Sequence, residues 1–127
     1  MKKELEEKLY VKYPNLFKQR IFPPIQSSMY WGICCGDGWY DLLDKLCKYI
    51  NKNDNTIEIV QVKEKFGGLR VYVNHAKNET LDKLEEFERL SYKICEECGS
   101  TENVKQTTFG WTQTLCKKCI AKKEKNN

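Results

Sequence analysis

Four cysteines in the last third of the chain carry the strongest chemical signal. Cys95 and Cys98, then Cys116 and Cys119, form C-x₂-C-x₁₇-C-x₂-C, a spacing that suits a four-thiolate zinc site. Two cysteines separated by two residues bend round one side of a tetrahedral ion, and a second pair closes the other. Gly99, directly after the first pair, suits the tight turn there because glycine tolerates positive φ. With every coordination position filled by sulfur no water can be activated, so the Zn²⁺ is expected to be structural. The alternative, a pair of disulfides, needs an oxidising compartment. The opening Met1-Lys2-Lys3-Glu4-Leu5-Glu6-Glu7-Lys8 has no apolar run of the signal-peptide kind.

A second group of residues could hold an anion. Lys63, Lys65 and Arg70 surround Gly67-Gly68, placing three cations where a backbone without side chains can approach a ligand closely. Arg70 offers a planar fork for phosphate. Gly36-Asp37-Gly38, ahead of an expected helix, adds backbone N–H donors. Trp31, Trp39, Tyr40 and Tyr72 offer stacking surfaces for a base. The candidate ligand site is therefore Lys63, Lys65, Arg70, Gly67, Gly68, Asp37, Trp39 and Tyr72. The plainer reading is a solvated charged strand, a Gly-Gly turn and aromatics that belong to the core.

The remaining chemistry-bearing residues are Cys34, Cys35, Cys47 and the one histidine, His75. Their spacing matches no standard metal site. Cys35 at a helix N-terminus could have a lowered pKa and act as a nucleophile with His75 as base, although buried, inert thiols are the default. Asp37 reads as the N-cap of the following helix and Asp41 as a residue of its first turn, where the helix dipole favours negative charge.

These residues need elements to position them. Glu4 to Tyr13 is predicted as a helix, with Leu5, Leu9 and Tyr13 on one face and Pro14 as its stop. Leu16 to Pro24 reads as an extended wrap over the core. Trp39 to Ile50 is predicted as a helix burying Leu42, Leu43, Leu46, Cys47 and Ile50, followed by a polar loop from Asn51 to Asn55. Thr56 to Phe66 is the clearest strand, with Ile57, Ile59, Gln61, Lys63 and Lys65 on one face and Glu58, Val60, Val62, Glu64 and Phe66 on the other. Gly67-Gly68 is predicted to turn it into a second strand, Leu69 to Val73. Thr80 is read as the cap of a helix from Leu81 to Lys93, with Leu84, Phe87, Leu90 and Ile94 inward. That helix leads into the first zinc knuckle. Val104 to Thr108 and Trp111 to Leu115 are expected to form the ribbon hairpin, with Phe109-Gly110 as its turn.

The resulting fold class is α+β: a small antiparallel sheet around a central hairpin with packed helices, and a C-terminal four-cysteine zinc ribbon. Residues 1–93 form the expected core domain, 94–121 the ribbon and 122–127 a lysine-rich tail. The core is long enough to bury its own apolar residues, whereas the ribbon needs its metal to fold. A net charge of +4 on 127 residues is too small to make the chain a polycation, and the acidic stretch Asp82 to Glu88 makes the surface a patchwork. No stretch is long and apolar enough to span a bilayer. Seven cysteines without an export signal fit a reducing cytoplasm better than a secreted disulfide scaffold.

Three blocks, Cys35-Gly36-Asp37-Gly38-Trp39, Gln61 to Arg70 (QVKEKFGGLR) and the cysteine quartet, in that order, resemble a family of small phage and prophage zinc-ribbon proteins of uncharacterised activity. The resemblance runs from Ile33 to Cys119. It implies a phage-type accessory protein working in the host-cell cytoplasm, of the kind often used in counter-defence, and supplies no activity.

The functional expectation that follows is a non-enzymatic protein binding a phosphorylated nucleotide, for instance a signalling nucleotide sequestered during infection. A homo-oligomer fits that role. The alternatives are a zinc-ribbon protein binding nucleic acid or the transcription machinery through Lys117, Lys118, Lys122, Lys123 and Lys125, and a small nucleotide hydrolase or thiol enzyme using Cys35, Asp37 and His75.

Overall fold

The computed structural model describes residues 1–108 and 110–125. Helix α1 (Lys3–Lys12) ends before Pro14, and α2 (Tyr40–Asn53) buries Leu42, Leu43, Leu46, Cys47 and Ile50, the five residues its periodicity assigns to one face. A three-stranded sheet has the order β1 (Ile33–Cys34), β2 (Glu58–Lys65), β3 (Gly68–Asn74). β1 runs parallel to β2, and β2 and β3 form the antiparallel hairpin. Helix α3 (Asn78–Ser91) packs on β3 and α2. The ribbon follows as β4 (Val104–Gln106), antiparallel to β5 (Thr114–Cys116), and then α4 (Lys117–Lys125). The fold is α+β with two small sheets. Among the described residues, no helix is long and apolar enough to cross a membrane.

One apolar cluster joins α1, α2, β1, β2 and β3 through Leu9, Leu16, Phe17, Met29, Ile33, Trp39, Leu43, Ile59, Val62 and Leu69. A second, smaller one holds Cys95, Leu115, Cys116, Cys119 and Ile120. The lysine-rich tail is not a separate segment as far as Lys125, because it continues α4.

Several expectations are corrected. Leu16 to Pro24 is not an extended wrap: it contains a short 3₁₀ turn, Lys18–Ile21, and a second, Ser28–Trp31, follows it. This arm lies beside β2, where Leu16 O accepts a 2.8 Å hydrogen bond from Ile59 N. Strict alternation along β2 fails because a bulge falls between Ile59 and Gln61. The extra residue, Val60, lets Ile59 and Val62 both point into the core. α2 runs three residues beyond Ile50, and Asp54 takes the place of the expected loop. Its carboxylate accepts from Lys77 N at 3.1 Å and from the Thr80 hydroxyl at 2.9 Å. Thr80 is therefore inside α3 and not its cap; a carboxylate from a distant segment serves the helix start, where the dipole favours it. Leu90 is 40% exposed and does not face the core. In the ribbon, Gly110 has φ +59°, while Phe109, its expected partner in the turn, lies outside the described residues.

Candidate functional site

The four sulfurs of Cys95, Cys98, Cys116 and Cys119 lie within 4.8 Å of one another, and Cys98 Sγ is 3.6 Å from Cys116 Sγ. Tetrahedral sulfurs bound to zinc are separated by about 3.8 Å, so the quartet fits one ion. Each pair is shaped by its element. Gly99 takes φ +81° and donates a 2.9 Å hydrogen bond to Cys95 O, closing the first knuckle. Cys116 ends β5 and Cys119 sits in the first turn of α4, so a strand-to-helix corner forms the second. Within the quartet a backbone hydrogen bond from Cys119, aided by the neighbouring thiols, lowers the Cys116 pKa to about 7, whereas burial and the same thiols push Cys119 up.

Both glycine blocks meet this ribbon. Gly38 N donates to Glu96 O at 2.7 Å, and Gly36 N donates to Glu96 Oε2 at 2.9 Å. Trp39 is fully buried, with its indole N–H donated to Ile94 O at 2.8 Å. At the hairpin, Thr114 Oγ1 donates to Gly67 O at 2.6 Å. Trp111 Nε1 donates to Glu64 Oε2 at 3.1 Å, while Glu64 Oε1 accepts from Gly67 N at 2.9 Å. A Cβ on Gly68 would sit 2.5 Å from the Tyr92 hydroxyl. The two-residue turn is Phe66-Gly67 (φ +53° and +87°), with Lys65 paired to Gly68; both turn positions need positive φ, as a type I′ hairpin turn does.

The candidate ligand residues therefore divide. Gly67, Gly68, Trp39 and the Gly36 and Gly38 amides are occupied by contacts with the protein itself and form a socket for the ribbon. Asp37 does not cap α2: its carboxylate accepts from Lys2 N at 2.7 Å and holds the start of α1. Lys63, Lys65, Arg70 and Tyr72 remain on the outward side of the hairpin. Cys34, Lys63 and Arg70 form one row across the sheet, back to back with the inward row Ile33, Val62 and Val71. Arg70 Nε is 3.1 Å from Glu88 Oε1. Lys63 Nζ lies 5.7 Å from the centre of the Tyr72 ring and Lys65 Nζ 5.7 Å from that of Phe66.

Between hairpin and ribbon is a recess of about 570 Å³ lined by Lys63, Glu64, Lys65, Phe66, Gly110, Trp111 and Thr112. Phe66 and Trp111, 69% and 74% exposed, are large aromatics held open to solvent. Sequence pattern singles out neither: it puts Phe66 on a strand face and Trp111 in the ribbon hairpin. The available signal was an aromatic beside each turn.

The thiol residues do not assemble a nucleophile. Cys35 is buried, and desolvation, with Glu96 adding a smaller effect, pushes its pKa up to about 12. That is opposite to the lowering expected at a helix N-terminus. Cys47 is fully buried, and its thiol is pushed up by the same cause. Cys34 and His75 are exposed.

Architecture and donor chemistry thus define an α+β protein whose four clustered cysteines could hold a metal ion and whose ribbon packs against a central hairpin. Comparison with protein-family models gives no match, and searches of curated proteins and of solved structures give none either.

Proposed function

We propose that the chain is a non-enzymatic binding protein for a phosphorylated nucleotide, with structural Zn²⁺ in the cysteine quartet. The observation that carries this reading is the recess of about 570 Å³ that sets Lys63 and Lys65 beside Phe66 and Trp111. Its size suits a small ligand. The aromatics offer stacking surfaces for a base and the ammonium groups partners for phosphate. Among the described residues, neither lysine forms an ion pair with a carboxylate. The resemblance to small phage and prophage proteins extends the proposal to counter-defence, with a signalling nucleotide held unchanged in the host cytoplasm.

Calorimetry of the zinc-loaded protein with mono-, di- and cyclic nucleotides tests the reading. Lys63→Ala and Lys65→Ala should each weaken binding roughly ten- to a hundredfold, the value of a charge-assisted contact. Silence across the panel, or binding that ignores both substitutions, overturns it. A second reading, nucleic-acid binding by the ribbon, is favoured by α4, where Lys117, Lys118, Lys122 and Lys125 are all exposed. Its signature is an affinity that falls steeply with salt and depends on those lysines instead of Lys63.

A further inference from the structure

We infer that the hairpin surface takes a ligand with two bases joined through phosphate, a dinucleotide, and not a single nucleotide; this rests on the nucleotide reading above. The recess at the turn is one aromatic platform, walled by Phe66 and Trp111. Tyr72 is another. It is exposed on β3 opposite Gln61, whereas the lining of the recess runs from Lys63 to its aromatic wall Phe66, which comes after the Lys65–Gly68 pair at the turn. Four ladder steps separate the two, about 13 Å along the strand, so one base cannot stack on both.

The ground between them is cationic. Lys63 and Arg70 face each other across the ladder on the same outward row. Arg70 Nε lies 3.1 Å from Glu88 Oε1, an ion pair without an aligned hydrogen bond, and among the described residues its terminal nitrogens hydrogen-bond to nothing. They remain as donors for a bridging phosphate. Lys63 rests over the Tyr72 ring at 5.7 Å, a weak exposed contact that a base can replace, moving the ammonium toward the phosphate. The far end of the lane is closed to a longer polyanion. Beyond Tyr72 the next outward pair is Asn74 and Glu58. Glu58 brings a carboxylate, held at 3.2 Å by Gln19 Nε2, where a third phosphate would lie. Two further carboxylates lie near, Glu64 in the lining of the recess and Glu88 on α3. Both are engaged, with Trp111 and Gly67 N and with Arg70 respectively.

The experiment compares a 5′-phosphorylated dinucleotide, the mononucleotide of the same base and a twelve-residue oligonucleotide on the zinc-loaded protein by calorimetry. The dinucleotide should bind roughly ten- to a hundredfold tighter than the mononucleotide, the ratio one stacked base supplies. Tyr72→Ala should bring that ratio toward one. The oligonucleotide should bind no tighter than the dinucleotide, and Glu58→Gln should relax that limit. Equal affinity for mono- and dinucleotide, or a ratio indifferent to Tyr72→Ala, overturns the two-base ligand while leaving nucleotide binding intact. An oligonucleotide that binds far tighter overturns it in favour of a polynucleotide. No binding by any probe removes both readings together. Tyr72 is part-exposed, so a melting curve and zinc content confirm that the variant is folded.

Discussion

Gly38→Ala is the most direct test of how the ribbon is held. A Cβ at this position would lie 2.6 Å from Gly99 N and 2.7 Å from Glu96 C, and closer still to Cys95 O. All three atoms are backbone of the first knuckle, so no side chain can swing away to make room. The knuckle has to retreat by about 1 Å to reach ordinary contact. That movement stretches the 2.7 Å bond from Gly38 N to Glu96 O and the 2.8 Å bond from Trp39 Nε1 to Ile94 O. Overpacking costs about 1–3 kcal/mol and each loosened hydrogen bond about 1 kcal/mol, so the loss should reach about 3–5 kcal/mol. For a chain of this length the Tm should fall by about 10–20 °C. The assay is thermal unfolding of the zinc-loaded protein, paired with the rate of zinc transfer to a chromophoric chelator, which should rise. Gly110→Ala is the comparison: nothing lies within 4 Å of its Cβ, and only the φ of +59° is strained, a cost of about 1 kcal/mol. A Gly38→Ala protein that melts and releases zinc like the wild type would refute the docking of the ribbon on the Gly36–Gly38 turn.

Trp39→Phe keeps most of the buried ring but leaves Ile94 O without its donor. It should destabilise by about 1–3 kcal/mol, read by urea unfolding. Removing the metal with a chelator should melt the ribbon while the core keeps its far-UV helical signal, because the buried residues of the main apolar cluster all precede the ribbon and only Ile94 packs against them from it; hydrogen exchange would locate the loss to residues 95–125. Alkylation of the native protein should modify Cys34 well before Cys35 or Cys47, which are buried, with mass spectrometry of peptides as the check. Stability should also fall as pH rises. The folded Cys35 thiol holds its proton up to about 12 against an ordinary value of 9.0, so above 9 the unfolded chain binds fewer protons and gains on the folded one. The decline should run from about pH 9 to about pH 12, measured as the urea midpoint at each pH.

Local pattern alone determined much of this protein. The clustering of the four cysteines was legible because two C-x₂-C pairs are the spacing that can close round one ion. So was Gly99, since a knuckle needs positive φ there, and so was α2, whose apolar period names its buried face. The β2–β3 hairpin was legible too, although its turn falls one residue earlier than the Gly-Gly pair suggests. Where Ile59 and Val62 share a face, period two failed, since one unpaired residue in a bulge reverses every later side chain.

Only the tertiary structure decided what the glycines are for. By composition Gly36, Gly38, Gly67 and Gly68 suit an anion cradle, because bare backbone and free N–H groups attract phosphate. In the fold they admit the protein's own backbone and side chains instead: Glu96 against Gly36 and Gly38, Thr114 against Gly67, Tyr92 against Gly68. The partners of Gly36 and Gly67 stand 60 and 47 residues away in sequence. Spacing rules describe neighbours along a helix, strand or turn, and close approach at such range depends on how finished elements pack. The same packing brings Trp111 beside Phe66 and leaves Lys63, Lys65 and Tyr72 facing solvent, which no local pattern could have announced.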